Sequence, residues 1–259
     1  MGATKNIEQV TEECVAWIRN WFNENGNTGT RAIIGISGGK DSAVVAALCV
    51  KALGQERVVG VMMPNGEQPD FEDAENVIKH LRIPSLRIDI SQTIKSIESC
   101  LTCDSFETHT LQIKYNDDAR INIPPRVRMT YLYALASCLG NSRVANCGNA
   151  SERFIGYSTK FGDAAGDFYP ITDMTCSEVI AMGKYLGLPD QIMDKAPADG
   201  LCGKTDEENF GFTYEQLDDF ILCGRIYGDK ETDSALSKRI MDLHKTSRHK
   251  YREISRFMP

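Results

Sequence analysis

Apolar residues Val10, Cys14, Trp17, Ile18 and Trp21 recur at helical spacing, which predicts an amphipathic first helix ending near Asn25-Gly26-Asn27. Residues 32–36 read as a strand, and the apolar run 43–53, closed by Gly54, as a helix. Residues 58–63 predict a second strand, stopped by Pro64-Asn65-Gly66. Pro69 then opens a helix with Phe71, Ala74, Ile78 and Leu81 on one face. Residues 86–90 alternate as a third strand, and Ser91 caps a helix bearing Ile94, Ile97 and Leu101. Strand and helix thus alternate over the first hundred residues, the pattern of a parallel sheet with helices on both faces.

Beyond a polar stretch at 104–118, residues 123–139 predict one long helix begun at Pro124-Pro125, with Val127, Tyr131, Leu135 and Cys138 on one face. Residues 143–146 form a short fourth strand. Residues 147–174 are long, irregular and rich in Gly and Asp, and a compact domain tolerates such a segment mainly at a site. Thr175 and Glu178 form a capping box for a helix reaching Leu186, and Thr213 and Gln216 form another. Residues 196–212, with Gly200, Gly203 and Gly211 among Lys204, Asp206, Glu207 and Glu208, suit a lid over the site better than a solvated loop. A last helix spans about 232–246, followed by a basic tail. The fold expected is a doubly wound α/β domain with a mostly parallel sheet, one domain over 1–259.

Composition narrows the partners. The chain has 259 residues, 42% hydrophobic and 25% charged, with a net charge of −7, so nucleic acid is not the expected partner. No apolar segment has the length of a membrane span, and Met1-Gly2-Ala3-Thr4-Lys5-Asn6 fits neither a secretory leader nor a myristoylation signal. Nine scattered cysteines fit a reduced, cytoplasmic compartment. Cys100-Leu101-Thr102-Cys103 is a solitary CxxC and reads as ordinary thiols at a helix end rather than a metal or redox pair; the four histidines lack ligand spacing.

The chemistry concentrates at Gly35-Ile36-Ser37-Gly38-Gly39-Lys40-Asp41-Ser42, between the strand at 32–36 and the helix at 43–53. Glycines there let backbone N–H groups crowd a phosphate, and the helix dipole favours its charge. The Walker A template fails: Asp41 follows Lys40, and Ile34 stands where its first glycine belongs. Residues 37–42 resemble instead the S-G-G-x-D-S loop of the N-type ATP pyrophosphatases (adenine nucleotide alpha hydrolase-like fold). Later blocks resemble one branch, the ammonia-dependent NAD synthetases. They are Arg126-Val127-Arg128-Met129 with Tyr133, then Asn149-Ala150-Ser151-Glu152, Gly156 to Asp163, Asp167 and Pro170, then Lys195-Ala196-Pro197, Thr205-Asp206-Glu207, Gly211 and Tyr214, and finally His249-Lys250.

The resemblance covers nearly the whole chain, in order. It implies amidation of deamido-NAD by ammonia through an acyl-adenylate, releasing AMP and pyrophosphate, by a homodimer without a fused glutaminase domain. It implies that residues 35–42 bind ATP and that Asp41 and Glu152 hold Mg²⁺. Arg126, Lys160, Asp167, His249 and Lys250 fall to deamido-NAD, with Asp41 and Lys160 catalytic and Gly162 and Gly166 letting the chain pass close to the dinucleotide. Individually these residues have ordinary readings. Arg126 reads as a solvated charge, Asp163 and Asp167 as turn formers, Glu152 as a helix-start charge, and His249-Lys250 as a solvated end. Their order and joint spacing favour the site. The chain departs from the pattern at Cys147, Cys176 and Ala198, where the family often has Thr, Lys and Thr or Ser that reach ATP. Lys40 and Lys204 are the candidates to supply the phosphate-facing charge. Adenylation of another substrate, as in tRNA-modifying relatives, or non-catalytic nucleotide binding are the competing readings.

Overall fold

The computed structural model describes residues 6–66, 71–102, 113–195, 205–224 and 230–252, together with positions 254, 256 and 257. Helix α1 (Ile7–Glu24) is capped by the Asn6 side chain, which accepts from the N–H groups of Glu8 and Gln9. It leads to β1 (Arg31–Gly35), α2 (Lys40–Leu53), β2 (Val58–Met62), α3 (Phe71–Leu81), β3 (Ser85–Arg87) and α4 (Ser91–Thr102). Helix α5 (Asp117–Leu139) and β4 (Ser142–Val144) complete the sheet region. The remaining helices are α6 (Ala150–Ile155), α7 (Cys176–Tyr185), α8 (Asp190–Met193), α9 (Asp206–Phe210), α10 (Tyr214–Cys223) and α11 (Lys230–Ser247).

The strands run in the order β3-β2-β1-β4, and every pairing is parallel. Their two-residue alternation supplies both faces with core. Ala32, Ile34, Val58 and Met62 point into a cluster with α1, α2, α3, α7 and α8. Ile33, Val59, Val61 and Val144 point the other way, onto Ile90, Ile94 of α4 and Val127, Met129 and Leu132 of α5. The expected doubly wound arrangement is therefore present. A third cluster, Ile155, Cys176, Phe210, Phe212, Tyr214, Leu217 and Ile240, ties α6 and the start of α7 to α9, α10 and α11. Chain order reverses between β1 and β4, and ligands of open parallel sheets bind outside the carboxyl ends of strands at such a switch.

Several boundaries differ from the sequence reading. Trp17 is 42% exposed, because α1 buries Thr11, Val15, Ile18 and Phe22; Trp21 stacks on Phe168 instead. Helix α5 starts at Asp117, capped by Asn116, with acidic residues in its first turn, and runs through Pro124 and Pro125 rather than from them. Cys138 and Leu101 are exposed, and Tyr131 and Leu135 are only partly buried. Ser91 is the first residue of α4 rather than its cap: its N–H donates to Asp89 Oδ1 at 2.8 Å. Strand β3 stops at Arg87. The segment 147–174 contains α6, and 205–212 contains α9 with Phe210 and Phe212 buried, not an open loop. The rest of the expected lid, with Ala198 and Lys204, lies outside the described residues, as do Pro69 and Cys103.

Gly60 of β2 lets α3 approach the sheet. A Cβ there would lie 2.3 Å from Ile78 Cδ1 and 3.1–3.2 Å from Ile83 and Ile36. Gly60→Ala therefore overpacks the first cluster and is expected to cost about 1–3 kcal/mol, seen as a lower midpoint in thermal or urea unfolding. An unchanged midpoint would show that α3 is not seated by this contact.

Candidate active site

The loop after β1 is folded by its own hydroxyls. Gly38 adopts φ +87°, a conformation that favours glycine. Ser37 and Ser42 share a hydrogen bond between their hydroxyls, Gly39 N–H donates to Ser37 Oγ at 3.2 Å, and Ser42 Oγ donates to Gly39 O at 3.1 Å. Gly39 caps α2 without a side chain, so the first-turn N–H groups of a 14-residue helix carry no side-chain acceptor. Such a terminus suits an anion.

Asp41, in the first turn of α2, meets the segment beyond β4. Asn149 Nδ2 donates to Asp41 Oδ1 at 2.9 Å. The same fully buried Asn149 caps α6: its Oδ1 accepts from Glu152 N–H at 2.9 Å, and Glu152 Oε2 accepts from Asn149 N–H at 3.4 Å. One amide thus sets Asp41 and Glu152 across the crevice from each other, at the end of the sheet where β1 and β4 diverge. Burial and the nearby charge of Asp41 push the Glu152 carboxyl well above its usual range, only partly offset by Lys40. A pair of carboxylate oxygen donors brought together at a buried crevice fits a hard divalent cation such as Mg²⁺, which needs one or two carboxylates with water and phosphate oxygens completing its shell.

Lys40 is 5% exposed. Its Nζ lies 3.1 Å from Asp41 Oδ2 and 5.3 Å from the centre of the Tyr214 ring. Burial opposes its charge, but Asp41 beside it holds it protonated beyond the usual lysine range. Cys147 and Cys176 also belong here. Burial raises both thiols, Cys147 further through Asp41 and Glu152; Cys176 reaches about 12, held back only by Lys40. Both are neutral walls of the site rather than nucleophiles. Behind Cys176, the buried Asp218 accepts from the Ser151 hydroxyl and, at 2.9 and 2.6 Å, from the N–H and hydroxyl of Ser177, fixing the start of α7.

The residues expected for the second nucleotide divide into groups. Arg126 Nε donates to Lys160 O at 3.2 Å, and Lys160 Nζ sits 5.1 Å from the centre of the Phe161 ring. Phe161 is 62% exposed at φ +63°, an uncommon conformation for a bulky side chain. Lys250 donates to the carbonyls of Gly156 and Ser158 at 2.6 and 2.7 Å. Burial lowers its ammonium, countered by Asp163. Asp167 binds protein as well: Oδ1 accepts from Tyr133 OH at 3.0 Å and Oδ2 from Val144 N–H at 2.8 Å. His249 is exposed, bonded to Thr246 O, and lines with Lys250, Arg239 and Tyr157 a pocket of about 330 Å³ beside α11. Gly162 and Gly166 pass close to protein backbone: a Cβ on Gly162 would lie 2.9 Å from Pro125 Cβ, and one on Gly166 2.8 Å from Asn146 N.

Asn149, Asn146 and Tyr214 carry more of this geometry than the sequence reading assigned them. Asn146 donates to the carbonyls of Asp163 and Ala165 at 2.7 and 2.8 Å, holding the glycine-rich segment. The signal for Asn149 was present in the sequence, because Asn three positions before Glu is a capping pattern. Tyr214 was singled out only as part of the resembling block, and nothing in the sequence set it beneath Lys40, where the packing of α10 brings it.

The NAD synthase family model matches residues 10–254. An NH(3)-dependent NAD(+) synthetase of Archaeoglobus fulgidus is 37% identical over 252 residues, covering 95% of this chain and 94% of the relative. The fold is similar to a solved NMN synthetase from Francisella tularensis, with TM-score 0.82 and 33% identity over 98% of each chain. It is also similar to an NAD+ synthetase from Burkholderia pseudomallei, with TM-score 0.74 and 27% identity over 95% of this chain and 90% of that one. With the phosphate loop, the carboxylate pair and near-complete alignment in agreement, this chain belongs to the NAD synthase family.

Proposed function

We propose that residues 1–259 act as one catalytic domain that amidates the nicotinate carboxyl of deamido-NAD with ammonia at the expense of ATP, giving NAD, AMP and pyrophosphate. The observation that carries the reading is the anion-ready loop 37–42 joined through Asn149 to the Asp41–Glu152 pair. A carboxylate is a poor electrophile. Transfer of AMP makes an acyl-adenylate with a good leaving group, and ammonia then displaces AMP. The loop's N–H groups stabilise the charge that develops on the departing pyrophosphate. Asp41 and Glu152 hold the Mg²⁺, which when bound neutralises phosphate charge. Arg126, which donates to the Lys160 carbonyl, and Lys160 itself orient the acidic dinucleotide in this reading. Asp167, bonded to the Tyr133 hydroxyl and Val144 N–H, and Lys250, bonded to two carbonyls, shape its site instead of reaching into it. His249 is a weaker candidate for contact.

Two further features accompany this reading. Ile121, Tyr133 and Leu139 on α5 and Leu101 on α4 are exposed apolar residues, and they suit a dimer interface. Among the described residues no helix is long and apolar enough to cross a membrane, and the buried thiols Cys49 and Cys176 fit action in the cytoplasm. The Francisella relative's name motivates a second reading, in which the acid of the mononucleotide is the preferred acyl substrate. The engagement of Asp167 and Lys250 with protein favours it, since fewer side chains then remain for a second nucleotide.

Incubation with ATP, Mg²⁺, ammonium and deamido-NAD is expected to yield NAD, AMP and pyrophosphate in equal amounts; ADP release or no turnover refutes the function. Nicotinate mononucleotide in a parallel assay decides between the acyl substrates by kcat/KM. Glu152→Gln tests the metal pair, with an expected loss of at least about tenfold in activity. Its stability has a predictable sign without Mg²⁺ and nucleotide. An unfolded Glu ionises near about pH 4.3, whereas the folded carboxyl resists ionisation, so folding of the wild type is penalised increasingly as pH rises above that value. Glu152→Gln should melt higher than wild type at pH 8 and no higher at pH 4. The same difference at both pH values would sever Glu152 from the Asp41 charge.

A further inference from the structure

We infer that Lys40 is the side-chain cation that receives the β- and γ-phosphates of ATP, exchanging its bond to Asp41 for a bond to the substrate when the divalent cation takes Asp41. The inference rests on the proposed function for the identity of the anion, but its geometry is that of the loop itself. Lys40 is the first residue of α2, so its backbone borders the anion-ready terminus. Nearly buried lysines are rare unless paired. Here the pairing group is Asp41, whose Oδ1 is held by Asn149 and whose Oδ2 faces the ammonium at 3.1 Å. The other carboxylate beside Lys40 is Glu152. Asp41, the carboxylate paired with Lys40, is therefore one of the two proposed for the metal.

A cation that takes Asp41 leaves the ammonium without its anionic partner in a confined place. On one side the Tyr214 ring lies beneath it, its own position fixed by a 3.1 Å bond from Tyr214 OH to the buried Asp206. Cys176, packed in the same cluster as Tyr214, contributes a neutral thiol. The anion that restores charge balance is the polyphosphate entering the loop. A fixed ammonium against a phosphate oxygen is a charge-assisted bond, stronger than a neutral one.

Calorimetric binding of inorganic pyrophosphate in the presence of Mg²⁺ tests the assignment independently of turnover. Lys40→Met is expected to weaken binding about tenfold or more. Neutralising Asp41 is the alternative job for Lys40, so the same substitution is made on Asp41→Asn, where that job is gone; a loss of similar size is expected. Cys176→Lys places an ammonium in the same corner from α7 and should restore binding to Lys40→Met. Lys40→Gln, of similar length, serves if Lys40→Met does not fold. A folded variant that binds pyrophosphate as wild type does, no loss on the Asp41→Asn background, or no rescue by Cys176→Lys overturns the assignment. A wild type that binds pyrophosphate through Lys40 but makes no amide supports the assignment and refutes the proposed function alone.

Discussion

Two carboxylates held together in a crevice repel each other, and the active-site end of this molecule is built to tolerate that. Asp41 comes from the loop after β1 and Glu152 from the helix after β4. Asn149 donates its side-chain amide to the Asp41 carboxylate and its backbone N–H to the Glu152 carboxylate, groups that neither gain nor lose charge. Lys40 supplies a buried counter-charge from the residue next to Asp41. Without these, desolvation would favour separating the two helix starts, since an uncompensated buried charge costs several kcal/mol by order of magnitude. The arrangement costs stability: the burial and repulsion that keep Glu152 from ionising are what a divalent cation would relieve under the proposed function.

The sheet makes that placement inevitable. Parallel strands leave their carboxyl ends at one edge, and reversal of chain order at β1 opens a crevice between the connections that leave β1 and β4. The loop 36–39 and the segment from Ala145 to Asn149 are those connections. Phe168 then pairs with Ala145 in a lone parallel bridge, and Asn146 N–H donates to Phe168 O at 2.9 Å. Asp167 adds its side chain to Val144 N–H, so the long glycine-rich segment is stitched back onto the sheet edge. Much of what looked in sequence like substrate recognition is this stitching.

That distinction explains what the sequence made legible. Short continuous apolar runs placed β1 and β2, because each strand buries both faces. Capping boxes at Thr175 and Thr213 marked the starts of α7 and α10 as read. The start of α5 was not legible: Pro124-Pro125 is an ordinary opening signal, and Asn116 with two aspartates overrides it by capping an earlier turn. Asp41 and Glu152 were found as a pair through family resemblance. Their bridge, Asn149, was a visible cap whose second partner lies 108 residues away. Gly166, read as room for ligand, is room for Asn146. A residue type states which interactions it can make, and only the fold states whether protein has already taken them.

The same logic separates the basic residues. Lys250 spends its ammonium on two backbone carbonyls, and His249 stays at the surface, so the basic tail acts chiefly by pinning the chain after α6. Gly156 at φ +71° ends that helix against Ser247 of α11, where a Cβ would lie 2.0 Å from Ser247 Cβ. The clamp therefore runs from α11 through the end of α6 to Glu152, and it sets the depth at which the carboxylate sits. Lys40 differs from Lys250 in one physical respect. Its partner is a carboxylate that a metal would claim, whereas carbonyls at Gly156 and Ser158 have no competing ligand. A buried cation whose partners can be taken by another cation is poised to change partner; one bonded to its own backbone is part of the frame.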